Sequence, residues 1–183
     1  LYERISDTDW RKKQWVAPAG SALEGMSNYL TDSHKTSIPA YVSLKFRPNE
    51  GDGEDYIIGA STAVPMMRIE EMYFIEIEAT LYSKGIDAAK KLLNDFMQTY
   101  RYRSYDCSYA SSEQSFIKEM LLQKRIEFWG EGILMYDYKR LNQGITRGYA
   151  GTNFPGVARF NTEGRSPQWN IVITRSEFQS NTA

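Results

Sequence analysis

The sequence predicts a mostly α-helical fold of antiparallel helical hairpins, with long irregular loops and a few short strands. Three observations predict it. An apolar run, MMRIEEMYFIEIEATLYSKG, lies between Pro65 and Gly85, residue types that belong at a helix entry and a helix exit. A second helical stretch, IDAAKKLLNDFMQTYR, begins at once and places Ala88, Leu92, Phe96 and Tyr100 at steps of four. A connection so short makes the two stretches antiparallel neighbours. A third helix, EQSFIKEMLLQKRIEFW, is interrupted near Gly130 and Gly132, and a shorter fourth, ILMYDYKRLN, follows.

Taken in order, residues 1 to 64 are irregular, with turn clusters at APAGSA and RPNEGDGED and one short strand at AYVSLKF, residues 40 to 46. Residues 65 to 143 hold the helical hairpins. Two hairpins in succession resemble tetratricopeptide repeats, although the consensus letters of that repeat are missing. Residues 144 to 183 are rich in Gly, Asn, Thr and Ser, with a strand expected only at NIVIT (170 to 174). The tail has too little apolar content to fold by itself and is expected to lie across the helices, giving one domain of 183 residues.

Composition removes several classes of function. Lys and Arg number 22 against 23 Asp and Glu, a net charge of -1, so there is no electrostatic case for nucleic acid. One cysteine (Cys107) and one histidine (His34) leave no internal disulfide and no ordinary Cys/His metal site. His34 reads as a loop histidine within TDSHKTS. The acidic turn GDGED carries oxygen ligands without the spacing of a calcium loop, so neither metal nor cofactor is expected. No run is long enough to cross a bilayer. The chain opens on Leu1 with no apolar signal segment, which reads as a processed or excised chain.

The first helix is apolar almost all round and is expected to be buried on most sides. Within it Arg68, Glu71 and Glu78 share a face, and in the third helix Lys124, Glu127 and Glu131 repeat the spacing. Buried acids need partners. One reading is a framework of ion pairs using Arg101, Arg125 and Arg140. The other is a carboxylate pair, Glu127 with Glu131, acting on a glycosidic bond, which requires a separation of about 5 to 9 Å. Helix packing with no visible cleft favours the framework, and no enzyme is expected.

The runs RIEEMYFIEIEATL, KLLNDF and QKRIEFWGEGILMYDYKRLN, with the tail FNTEGRSPQWNIVITRSEFQSN, resemble the C-terminal part of the SusD/RagB family of outer-membrane nutrient-binding lipoproteins of Bacteroidota. The resemblance spans residues 38 to 183, with DTDWRKKQW similar to an Asp-Arg stretch that precedes it. Its first pattern falls on Arg68, Glu71, Tyr73, Glu76, Glu78 and Ala79, and its second on Glu127, Phe128, Glu131, Gly132, Asp137, Lys139 and Arg140. Gln123, Leu134 and Thr174 depart from it.

The resemblance implies that Arg68, Glu71, Glu78, Glu127, Glu131, Asp137 and Arg140 are framework and that variable loops touch the ligand. It implies a non-catalytic subunit, anchored at the cell surface as an outer-membrane lipoprotein. Such a subunit captures an oligo- or polysaccharide for a SusC-like TonB-dependent transporter. The alternatives are a peptide-nutrient binder, or a scaffold that contacts only the transporter. The anchor and an N-terminal helical half are expected to lie outside this chain. Sugars are held by flat aromatic faces, so Trp10, Trp15 and Tyr29 are the first candidates, beside Asn28, Asp32 and Lys35. Tyr149, Asn153, Phe154 and Trp169 follow them, and Trp129 is expected in the core.

Overall fold

The computed structural model describes residues 1–26, 38–46 and 63–170. They contain four α-helices and a few single-turn 3-10 segments: α1 (Ile69–Lys84), α2 (Ile86–Tyr100), α3 (Glu113–Glu127) and α4 (Leu134–Arg140). The fold is mostly helical and built on a helical hairpin. The chain divides into two compact units, Leu1–Glu131 and Gly132–Ala183.

In the first unit α1 and α2 pack along their length, and α3 lies against both. Gly85 alone joins α1 to α2. Its φ of +89° reverses the chain in a conformation costly to side chains with a Cβ. The entry to α1 is later than Pro65 predicts. Arg68 is the extended N-cap residue (φ −132°, ψ 149°) and makes no side-chain cap, because a guanidinium has no acceptor to offer the first N–H groups; it pairs instead with acids at the end of α3. Met66 and Met67 consequently stand outside the helix, 97% and 76% exposed.

The buried stripe of α2 is Ala89, Leu93, Phe96 and Met97. It is displaced by one residue from the expected step-of-four row. Ala88 and Leu92 are half-buried and Tyr100 is exposed. A step of exactly four drifts around a 3.6-residue helix, whereas mixed steps of three and four stay on one face. The core joins this stripe to Phe74, Ile77 and Leu81 of α1 and to Phe116, Met120 and Phe128 around α3. Phe74 sits edge-on to both Phe96 (5.4 Å) and Phe128 (5.7 Å).

The helix buried on most sides is α3, not α1. Buried positions run Glu119 to Lys124 and continue at Ile126 and Glu127, whereas α1 leaves Ile69, Met72, Ile75 and Tyr82 exposed. Apolar content does not report how many neighbours an element acquires. Around α3 lie α1, α2, the loop of Tyr105, Cys107 and Ala110, and the N-terminal segment, where Tyr2, Ile5 and Trp15 pack on Leu122 and Ile126. Ser112 opens α3 with a capping box closed by Ser115.

The strand expected at residues 40 to 46 is a single antiparallel bridge, Trp15 to Ser43. It is flanked by Tyr41 N–H to Val16 O (2.8 Å) and Leu44 N–H to Gln14 O (2.7 Å). Tyr41 has φ +71°, which breaks the extended run at its start. In the second unit, Asp137 and Arg140 pair within α4 at 2.6 Å, and Thr146 bridges Asn161. The strand expected at NIVIT lies outside the described residues apart from Asn170.

Candidate functional site

The densest polar assembly of the first unit is centred on Glu127, the last residue of α3. A carboxylate at a helix C-terminus meets the negative end of the macrodipole and is unfavourable unless cations surround it. Three arginines do so. Arg101 reaches its two oxygens at 2.7 and 2.9 Å, Arg68 at 3.0 Å and Arg11 at 3.1 Å. Arg68 and Lys45 also donate to the Glu127 carbonyl, each at 2.8 Å, satisfying a helix-end acceptor.

Four residues on, Glu131 takes Arg68 at 3.2 Å and accepts a close contact from Lys45. Arg101 also holds Glu70 (3.1 Å), and Arg11 holds Asp9 (2.6 Å). Four basic side chains (Arg11, Lys45, Arg68, Arg101) therefore face four acidic ones (Asp9, Glu70, Glu127, Glu131), and the charge closes. Burial pushes the Glu127 carboxyl up, but Arg101, Arg11 and Arg68 outweigh it and hold the group below the ordinary glutamate range.

A neutral relay extends this network along one face of α3. Gln123, one turn before Glu127, accepts from Arg11 at 2.7 Å and donates to Glu119 at 2.8 Å. Glu119 also accepts from the Tyr105 hydroxyl at 2.8 Å and from Tyr109. Burial, reinforced by the Glu119 charge, raises both phenols above their ordinary range. Asn94 and Gln98 of α2 hold the loop that delivers these tyrosines, through Cys107 N–H (3.0 Å) and Tyr105 O (2.7 Å).

Of the residues expected as framework, Arg68, Glu127 and Glu131 meet in this one network. Glu71 is half-buried outside it, and its neighbour Glu70 supplies the α1 acid. Glu78 is 8% exposed on α1. Sequence reasoning missed Asp9, Arg11, Lys45 and Gln123 as members. The one available signal was the Asp-x-Arg of DTDWRKKQW. Lys45 lies within an expected strand and carried none. The carboxylate pair Glu127 and Glu131 is occupied by guanidinium and ammonium groups, and the Glu127 carboxyl, held low by its arginines, is a poor general acid.

The expected sugar-binding aromatics separate. Trp10 is 43% exposed, its indole N–H donating to Tyr100 O at 3.0 Å and the Arg101 guanidinium 5.4 Å from its ring. Trp15 is 6% exposed and forms part of the core, so its face cannot stack on a sugar. Trp129, expected in the core, is 41% exposed and lies 4.9 Å from the Trp15 ring. The Gly130 turn, φ +76°, follows it and ends the helical run. Tyr29, Asn28, Asp32, Lys35 and His34 lie outside the described residues, as does GDGED. In the second unit Tyr149 is exposed, Phe154 and Trp169 are half-buried, and Arg147 lies between Phe154 (5.2 Å) and Phe160 (5.3 Å).

A cavity of about 550 Å³ opens among the N-terminal turns, with Tyr2, Glu3, Asp7, Lys12 and Ser21 in its wall. Among the described residues no group of three His, Cys, Asp or Glu side chains could hold a metal ion. No described helix is long and apolar enough to cross a membrane.

No curated protein and no solved structure matches the chain significantly. The model of the SusD family matches residues 2–181, nearly the whole chain and well beyond the resemblance read from residue 38 onward. The mostly helical hairpin architecture agrees with that assignment, and the chain belongs to the SusD family, whose members bind nutrients at the outer membrane.

Proposed function

We propose that this chain serves in a surface-exposed outer-membrane lipoprotein that binds a glycan and delivers it to a SusC-like TonB-dependent transporter, with no catalytic step. The observation that carries the reading is the family match over residues 2–181. Two physical features support it. The acids that could have served hydrolysis are neutralised by fixed cations. Trp10 holds an exposed aromatic face in one orientation through its indole hydrogen bond and Arg101, which is the preorganised apolar surface that a sugar's C–H face requires. The framework role extends to Arg68, Glu71, Glu78, Glu127, Glu131, Asp137 and Arg140.

The test is calorimetric titration against a panel of polysaccharides and peptides, combined with co-purification of a SusC-like barrel from the native membrane. Polysaccharide binding weakened about tenfold or more by Trp10→Ala supports the reading; tighter binding of peptides than of any sugar overturns the glycan part.

One observation favours the scaffold reading. The exposed row of Ile69, Met72, Ile75 and Tyr82 on α1 is a surface of the kind found at protein contacts. On that reading, replacing Met72 and Ile75 by Ser abolishes co-purification of the barrel, while Trp10→Ala leaves nutrient uptake unchanged.

A further inference from the structure

We propose that the second unit carries an anion-binding site, built on Arg147 and Arg159, for the carboxylate of an acidic sugar. The choice of a sugar as the bearer of that carboxylate rests on the glycan-binding reading above; the anion site does not. Charge first sets this unit apart. Gly132–Ala183 holds six Lys and Arg against three Asp and Glu, whereas Leu1–Glu131 holds 16 against 20. A cationic excess concentrated in one unit draws in anions that the overall charge of -1 would not.

Two of these arginines gather on one residue. The Arg147 guanidinium, on a half-buried side chain, lies 5.2 Å from the Phe154 ring centre and 5.3 Å from that of Phe160. Arg159 donates from Nε to the Phe154 carbonyl at 2.5 Å and from Nη2 to Thr152 O at 3.4 Å. Neither meets a carboxylate among the described residues, although Arg11, Arg68, Arg101 and Arg140 each do. Aromatic rings hold a guanidinium but give its five N–H groups no oxygen. Two cations drawn to one residue also repel, and an anion shared between them removes that cost.

The loop that presents them is braced. Asn161 Oδ1 accepts from the backbone N–H groups of Arg147 (3.0 Å) and Gly148 (2.9 Å), and its amide donates to Gly148 O (3.3 Å). Thr162 ties Ile145 in the same way, donating its N–H to Ile145 O (2.9 Å) and accepting from Ile145 N–H at its hydroxyl (3.0 Å). A cation already fixed in place loses little freedom on binding. Its planar fork fits the two oxygens of a carboxylate. Phe160, 46% exposed, and Tyr149, two residues along the chain from Arg147 and 54% exposed, offer apolar faces to the sugar ring.

The test is calorimetric titration of the full chain with trisaccharides of galacturonate and of mannuronate, their methyl esters, the neutral galactose and mannose trisaccharides, and inorganic phosphate. One acidic trisaccharide is expected to bind at least tenfold more tightly than its ester or its neutral counterpart, by a margin that shrinks as salt is added. Arg147→Gln lowers that affinity about tenfold or more, the range for lost charge-assisted hydrogen bonds. Arg147→Lys, which keeps the charge without the fork, recovers part of it, and Lys91→Ala on α2 leaves it unchanged. The comparison of acid with ester needs no variant and stands whatever Arg147→Gln does to the loop. Equal affinity for acid and ester overturns the anion site and leaves the glycan reading standing. Acid binding lost in Trp10→Ala but kept in Arg147→Gln does the same. Phosphate bound through Arg147 as tightly as either acidic trisaccharide overturns the sugar acid as ligand. Silence toward every sugar, acidic and neutral, overturns both readings.

Discussion

Arg11 and Glu127 stand 116 residues apart in the chain and meet at 3.1 Å, with side chains 2% and 3% exposed. The contact fastens the N-terminal 3-10 turn (Trp10–Gln14) to the end of α3, and through Glu127 it reaches Arg101 after α2 and Arg68 before α1. One carboxylate thus ties together four segments distant in sequence. Removing one partner of such a buried set is more damaging than its net contribution suggests, because the remaining charges are left desolvated and unpaired.

Glu127→Gln is therefore expected to destabilise the first unit by about 3 to 5 kcal/mol. Urea unfolding followed by circular dichroism measures it. The exposed pair Lys91–Asp95 on α2, side chains 75% and 54% exposed, is the comparison. Lys91→Ala should cost less than about 0.5 kcal/mol, as solvated i,i+4 pairs do. Equal effects at the two sites would show that the network does not hold the segments.

Acid should act through the same group. Glu127 has a folded-state carboxyl held below its unfolded value, because its arginines outweigh burial. Its stabilising contribution is complete above the unfolded value of about 4.3 and is lost as pH falls through the folded value. Stability measured between pH 7 and pH 2 should decline below that point, and the decline should be shallower in Glu127→Gln. Parallel curves for the two proteins would assign the acid sensitivity to other carboxylates.

Cys107 is fully buried, and burial together with Glu119 and Asp106 pushes its thiol up to about 11. The thiolate is the reactive form. At pH 8 the native protein should react with a disulfide reagent orders of magnitude more slowly than after unfolding in urea. Rapid native labelling would mean that the loop of Tyr105, Cys107 and Ala110 opens readily.

Glu119 and its tyrosines offer a second stability test. Tyr105→Phe keeps the ring and removes the 2.8 Å donor, at an expected cost of about 1 to 3 kcal/mol for a buried acceptor left short. Tyr102, pushed up to about 12 by burial and then by Asp9 and Glu119, should ionise late. Alkaline absorbance titration should show a fraction of the phenols appearing only when the protein unfolds.

The two glycines after α3 should differ under substitution. Both have positive φ, +76° at Gly130 and +82° at Gly132, so alanine is strained at either by about 1 kcal/mol. At Gly130 a Cβ would also collide with the Phe46 ring, whereas at Gly132 it meets open space. Gly130→Ala should lower the melting temperature more than Gly132→Ala.

The sequence by itself determined the helices, the hairpin turn and the family. Pro, Gly and capping residues act within a few positions, and ordered motif blocks are read along the chain. Gly85 and the boundaries of α2 and α3 were legible for that reason. The burial of helix faces was not. The apolar excess of α1 promised a surrounded helix, yet α3, with charges along its length, is the one enclosed.

Only the tertiary structure decided that Arg68 would pair with Glu127 and Glu131, that Glu70 rather than Glu71 would enter the network, and that Trp15 would be core while Trp129 stayed exposed. Each outcome depends on which distant segment arrives alongside, and the interactions that settle it join residues tens to over a hundred positions apart. Spacing along a chain carries which residues share a face. The partner that meets that face is set by packing in three dimensions.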